Sequence, residues 1–131
     1  MPVHPNADIV RRLFRAFAER DVATVQTLIA EDAVWTFPGE RGQIAGEHRG
    51  REAIAAFLGK VMALTSGTFH IELHDVTASD GHAAALFTGS GQRNGKTLHN
   101  PTALVITIRD GRCADFREFV WNLPEVDDFW S

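Results

Sequence analysis

The chain has 131 residues, 44% of them hydrophobic and 23% charged, and a formal net charge of -4; that size and balance suit one folded domain over 1–131 rather than a disordered or multidomain protein. Lys and Arg are dispersed, so nucleic acid and anionic membranes are not expected partners, and no apolar run approaches the roughly 20 residues of a spanning helix. The one cysteine, Cys113, excludes an internal disulfide framework, and the opening MPVHPNAD shows no basic-then-apolar secretory pattern, so a cytoplasmic location is expected.

Asn6 can cap a first helix over about 7–20, in which Ile9, Val10, Leu13, Phe14 and Phe17 recur at helical spacing. Asp21 can cap a shorter second helix to about Ala30, with Val22, Val25, Leu28 and Ile29 turned inward. Ala33 to Phe37 is β-rich and stops at Pro38-Gly39, which predicts a short strand. The glycine-rich stretch from Gly39 to Gly50 predicts a loop with a brief extended piece near Ile44. Ile54, Phe57, Leu58, Val61 and Leu64 predict a third helix over about 51–65, ended at Ser66-Gly67.

Beyond that point the period changes from 3.6 to 2. Four strands are predicted, over 69–78, 82–93, 96–108 and 112–121, separated by Ser79-Asp80-Gly81, Asn94-Gly95 and Asp110-Gly111. Asn-Gly and Asp-Gly favour two-residue hairpin turns because both central residues need positive φ. Helices followed by a meander give an α+β protein with a curved antiparallel sheet.

Turn geometry sets the register and so the faces. Two-residue turns place Leu86 opposite Ala103, Ser90 opposite His99, Val105 opposite Phe116 and Ala103 opposite Glu118. On that register His99, Ala103, Phe116 and Glu118 share one face, and Asn100, Leu104, Ile106, Phe119 and Trp121 share the other. Both faces are apolar enough to need cover, by helices on one side and a second subunit on the other.

The segments AEDAVWTFPG, AGEHRGREAIAAFL, HDVTASDGHAAAL, RNGKTL and IRDGRCADFREFVWNLPEVDDFW, in this order and spacing, resemble the SnoaL-like, ketosteroid-isomerase-like branch of the nuclear-transport-factor-2-like superfamily. The resemblance implies a cone-shaped α+β barrel, with three N-terminal helices packed in the curved sheet around an internal pocket, and a homodimer. It does not carry the isomerase catalytic set. The general-base aspartate falls on Phe37, the oxyanion-hole tyrosine on about Leu13, and the protonated aspartic acid on Ala103 or Leu104, so steroid isomerisation by that mechanism is not expected. The Asp-Arg-Asp set of related epoxide hydrolases is not evident either.

Glu118, flanked by Phe116 and Val120, is the leading candidate for chemistry: a carboxylate desolvated inside the cone would have a raised pKa and could act as general acid or base. His99 shares its face on the predicted register, but roughly 13 Å away by strand rise, so it is expected as a contact at the pocket mouth rather than a dyad partner. A one-residue bulge would exchange His99 for Asn100. Trp35, Phe37, Asn100 and Phe116 are expected to line the pocket, although a cone filled by Trp35 and Phe37 would argue against binding.

His70, Glu72 and His74 lie too far apart on a strand to share a metal, and Gly89-Ser90-Gly91 leads to a hairpin rather than to the helix a dinucleotide loop requires. Neither a metal nor a cofactor is expected. The functional expectation is a small, largely apolar molecule held in the cone, with isomerase-, cyclase- or hydratase-like acid/base chemistry as one use of the site. The alternative is a non-catalytic dimeric ligand-binding or protein-interaction module. Pro124 should end the last strand, and the segment after it should make a short helical turn that docks Phe129-Trp130 on the body or the neighbouring subunit, near the pocket mouth.

Overall fold

A computed structural model describes residues 3–131. The order is α1 (Pro5–Ala18), α2 (Val22–Leu28), β1 (Ile29–Phe37), β2 (Gly46–Arg49), α3 (Arg51–Leu64), β3 (His70–Ala78), β4 (His82–Arg93), β5 (Lys96–Arg109), β6 (Arg112–Val120) and α4 (Leu123–Trp130). The strands form one curved six-stranded sheet in the order β2-β1-β6-β5-β4-β3. Every pair is antiparallel except β1 with β6, which is parallel. The helices and the concave face of this sheet enclose the core. No helix among the described residues is long and apolar enough to cross a membrane.

Local signals account for most boundaries. The cap of α1 is His4 rather than Asn6: its Nδ1 accepts from the Asn6 N–H, and Pro5 follows at a position where no N–H is needed. Asn6 instead donates its side-chain amide to the carbonyls of Ser79 and Asp80, tying the helix to the β3–β4 turn. Asp21 caps α2 as expected, but the helix ends at Leu28. Ile29 and Ala30 open β1 because Ile29 pairs with Cys113 of β6, and that tertiary pairing outweighs local helix preference. Val22 is 61% exposed rather than turned inward.

The β3–β6 meander follows the predicted turns, with Asn94 and Asp110 at positive φ before Gly95 and Gly111. Leu86 faces Ala103 and Ser90 faces His99, as expected. On β6 the register departs. Ile108 pairs with Cys113, but Thr107 pairs with Asp115, so Ala114 is an extra residue forming a β-bulge, and Cys113 and Ala114 are both buried. From there Ile106 faces Phe116, Leu104 faces Glu118 and Ala103 faces Phe119. The bulge moves Phe116 and Glu118 to the face of Asn100, Leu104 and Ile106. The expected grouping of Glu118 with His99 is thereby corrected.

The C-terminal segment forms α4 and docks, with Val126, Phe129 and Trp130 all buried. Phe129 and Trp130 meet edge to face, and Trp130 also leans on Phe69. Asp127 locks the helix to the β1–β2 connection. Its carboxylate accepts the backbone N–H groups of Glu40 at 3.1 Å, Arg41 at 3.0 Å and Gly42 at 2.6 Å. Gly39, at φ +121°, passes so close that a Cβ there would collide with this carboxylate. These N–H donors hold the Asp127 carboxyl below the usual carboxylate range.

A depressed folded-state pKa stabilises the fold above the unfolded value and loses that effect as pH falls through the folded one. Asp127→Ala should therefore lower Tm by several degrees at neutral pH, and the gap to wild type should narrow below about pH 4 in thermal melts. Equal melting of the two proteins at pH 7 would contradict the role given to this carboxylate.

Candidate functional site

The bottom of the cone is built from β1, β5, β6, α3 and α4. Trp35 lies flat on Phe116, with ring centroids 4.2 Å apart and planes within 14°, directly across the parallel β1–β6 pairing. Phe57 of α3 closes the other side, 5.3 Å from Trp35 and 6.0 Å from Phe37. His48 stacks on the same Phe57 at 4.3 Å and meets the Ile44 carbonyl through Nε2 at 2.8 Å. This aromatic stack fixes the indole so that Trp35 Nε1–H donates to Glu118 Oε1 at 2.9 Å.

Glu118 occupies the inner face among apolar side chains and lines the cavity together with Trp35, Phe37 and Leu104. Loss of hydration pushes its carboxyl up to about 8, and the Trp35 hydrogen bond offsets only part of that rise. Part of the residue stays accessible. Near neutral pH the group is therefore largely a neutral acid, with one oxygen engaged by the indole and an O–H available as donor. Two more residues of the same cavity hold buried polar atoms without a hydrogen-bond partner among the described residues: Asn100 Oδ1 and Trp130 Nε1.

The cavity at this level is only about 60 Å³, because Trp35, Phe37 and Phe57 occupy much of the cone. It has room for a few waters or one small polar substituent, not for a ring system. It is walled by Phe14, Phe17, Leu58, Phe69 and Ile71, which also line a far larger open space of about 650 Å³ between α1, α2, α3 and β3. That volume lies in the range of small-molecule sites. Because they share these side chains, the two spaces lie against one another, the outer one open and the inner one lined by Glu118.

Trp35, Phe37, Asn100 and Glu118 thus converge on one cavity. Phe116 does not reach its wall; it is fully buried behind Trp35 and acts as the support of the indole. His99 points to the convex face and is exposed, on the opposite side of the sheet from Glu118. The physical reason is that Asn100 keeps the inward parity of β5 while the bulge shifts only β6. Leu13, Phe37 and Leu104, the positions matched in sequence to the isomerase catalytic residues, all line the cavity, and all are apolar.

Sequence reasoning missed Trp130 as a lining residue and Arg51 at the mouth, since neither lies on the predicted face of the meander. The strand over His70, Glu72 and His74 holds His74 against Thr88 Oγ1 at 2.8 Å. Burial pushes the Cys113 thiol up to about 12, leaving it without thiolate character.

This architecture has counterparts among known proteins. The SnoaL-like domain family matches residues 10–116, and the chain belongs to that family, within the superfamily of nuclear-transport-factor-2-like folds. An uncharacterized protein of Mycobacterium tuberculosis (strain ATCC 25618 / H37Rv) is 34% identical over 125 residues, 95% of each chain. Among solved structures, Bal32a from a soil-derived mobile gene cassette superposes with a TM-score of 0.93 at 38% identity, covering 97% of both chains. An NTF2-like protein from Burkholderia xenovorans LB400 gives 0.83 at 25% identity, covering 100% of this chain and 99% of that one.

The raised Glu118 pKa has a stability consequence. Between the unfolded carboxyl value of 4.5 and about 8 the native state holds a proton that the unfolded state has released. Stability therefore falls as pH rises through that window. Glu118→Gln keeps the shape and removes this penalty, so it should match wild type near pH 4 and exceed it by about 2–3 kcal/mol at pH 8, after discounting for partial exposure. A urea titration at the two pH values checks this; a variant less stable than wild type at pH 8 would contradict it.

Proposed function

We propose that the two adjoining spaces act as one funnel, and that this protein binds a small, largely apolar molecule in it, with the body of the molecule in the wide outer space and one carbonyl or hydroxyl oxygen at the polar tip. There the Glu118 O–H donates to that oxygen and can pass its proton on, making Glu118 a general acid, and a general base after ionisation. The observation that carries this reading is a carboxyl held inside an apolar cone by one indole N–H, with its second oxygen free. Such a group is costly to bury, and perturbed carboxyls of this kind mark functional sites more often than structural ones. The small volume at the tip limits the reacting part of the ligand to a single substituent.

The neutral naphthyl ketone prodan, whose emission shifts to the blue in apolar surroundings, tests the binding. Wild type should bind it, and Gly59→Trp should weaken binding at least about tenfold, since burying this aryl body is worth more than 1.4 kcal/mol. Gly59 lines the outer space and a Cβ there meets nothing within 4 Å, so the variant should fold normally. No binding by wild type, or equal binding by a folded Gly59→Trp protein, would overturn the reading.

The convex face supports a second element of the proposal, a homodimer. Leu86, Phe119 and Trp121 are 45%, 59% and 85% exposed, and the bulge places Phe119 beside Ala103 on this side. A monomer gains nothing by presenting these side chains together to water. Sedimentation at micromolar concentration should give the mass of two chains, and Phe119→Ser/Trp121→Ser should give one. A wild-type monomer would remove the dimer without touching the funnel.

A further inference from the structure

The wide outer space is apolar on its walls and cationic around its rim. Arg11, Arg15, Arg20 and Arg51 all line it, and among the described residues no Asp or Glu does. In a chain of net charge -4, that is a strong local excess. Arg11 is partly neutralised by Asp75, 3.5 Å away. Arg15 and Arg20 are exposed, and neither lies within 4 Å of a carboxylate of a described residue. Arg51, at the start of α3, is half-buried; it spends one Nη2–H on the Ile29 carbonyl at 2.8 Å, and its buried Nε–H has no acceptor among the described residues. Guanidinium groups held at an apolar mouth concentrate anions there and match oxyanion geometry.

From this arrangement we infer that the molecule taken into the funnel is an amphipathic anion, carrying a carboxylate or phosphate on an apolar body. Its charged head stays at the mouth against Arg15, Arg20 and Arg51, and the apolar body runs inward. The inference rests on the proposed binding function and specifies its ligand class. The two ends of the funnel agree with it: the deep carboxyl is neutral near pH 7, so no buried negative charge opposes the ligand, and all free charge lies at the rim. An entirely neutral ligand would leave three guanidinium groups around the mouth with nothing to pair.

Calorimetric titration of the full chain with decanoate, decanamide and decyl phosphate tests this. At low salt, decanoate or decyl phosphate should bind about tenfold or more tightly than decanamide, the ratio that two or three partly exposed ion pairs provide. The better of the two anions identifies the head group. The preference should fall below about threefold in Arg15→Gln/Arg20→Gln, whose positions are exposed and whose melting should match wild type, and it should shrink with added salt. Arg51→Lys, which keeps the charge but loses the planar fork, should lose part of it. If decanamide binds as well as both anions, the funnel binds ligands but the anion assignment is wrong. If none of the three binds, the binding function falls and this inference falls with it.

Discussion

β6 pairs with two different neighbours, β5 antiparallel and β1 parallel, and the extra residue at Ala114 decides which of its side chains enter the cone. Without that bulge, the strand would put Arg117 and Phe119 inside and Phe116 and Glu118 outside. With it, Phe116 lies under Trp35, Trp35 reaches Glu118, and the carboxyl lines the inner cavity. Bulges recur beside functional sites because one inserted residue re-aims every side chain that follows it. Here the insertion is made of small buried residues, Cys113 and Ala114, which fit where a larger pair would overfill the core.

The same geometry separates this cone from the isomerase branch it resembles. The three positions that carry catalytic groups there are Phe37, Leu13 and Leu104 or its neighbour here, and the cavity wall is apolar at each of them. Polarity comes instead from β5, β6 and α4, through Asn100, Glu118 and Trp130. One acid facing one ligand oxygen is a sparser arrangement than a base with two oxyanion donors. It suits a proton transfer to or from a single substituent, or orientation of a ligand without chemistry.

Much of this was legible in the chain. Asn-Gly and Asp-Gly turns located the β4–β5 and β5–β6 hairpins, and the change of period at Phe69 separated helices from meander. Phe129 and Trp130 announced a docked terminus, since two large aromatics at an acidic end had little reason to remain in water. Glu118 stood out because it interrupts an apolar alternation. What was not legible depended on partners distant in sequence. The parallel pairing that lengthens β1 to Ile29 needs Cys113, and β2 forms only because β1 offers it an edge. The bulge leaves no pattern in RCADFREFV, because the alternation can be read on either side of Ala114. His99 was misplaced for that reason, and Asn100 was reached only as its one-residue-bulge alternative; Phe116 kept the face of Glu118 but lies behind Trp35.

The central requirement is a carboxyl that keeps its proton inside the cone near neutral pH. Titration of the glutamate side-chain carboxyl carbons by NMR, with Glu118 assigned through Glu118→Gln, measures this directly. One carboxyl should show a midpoint near 8 that is absent from the variant, and the Trp35 indole proton should shift with the same midpoint. A Glu118 midpoint near the ordinary glutamate value of about 4.3 would show a hydrated carboxylate and contradict it.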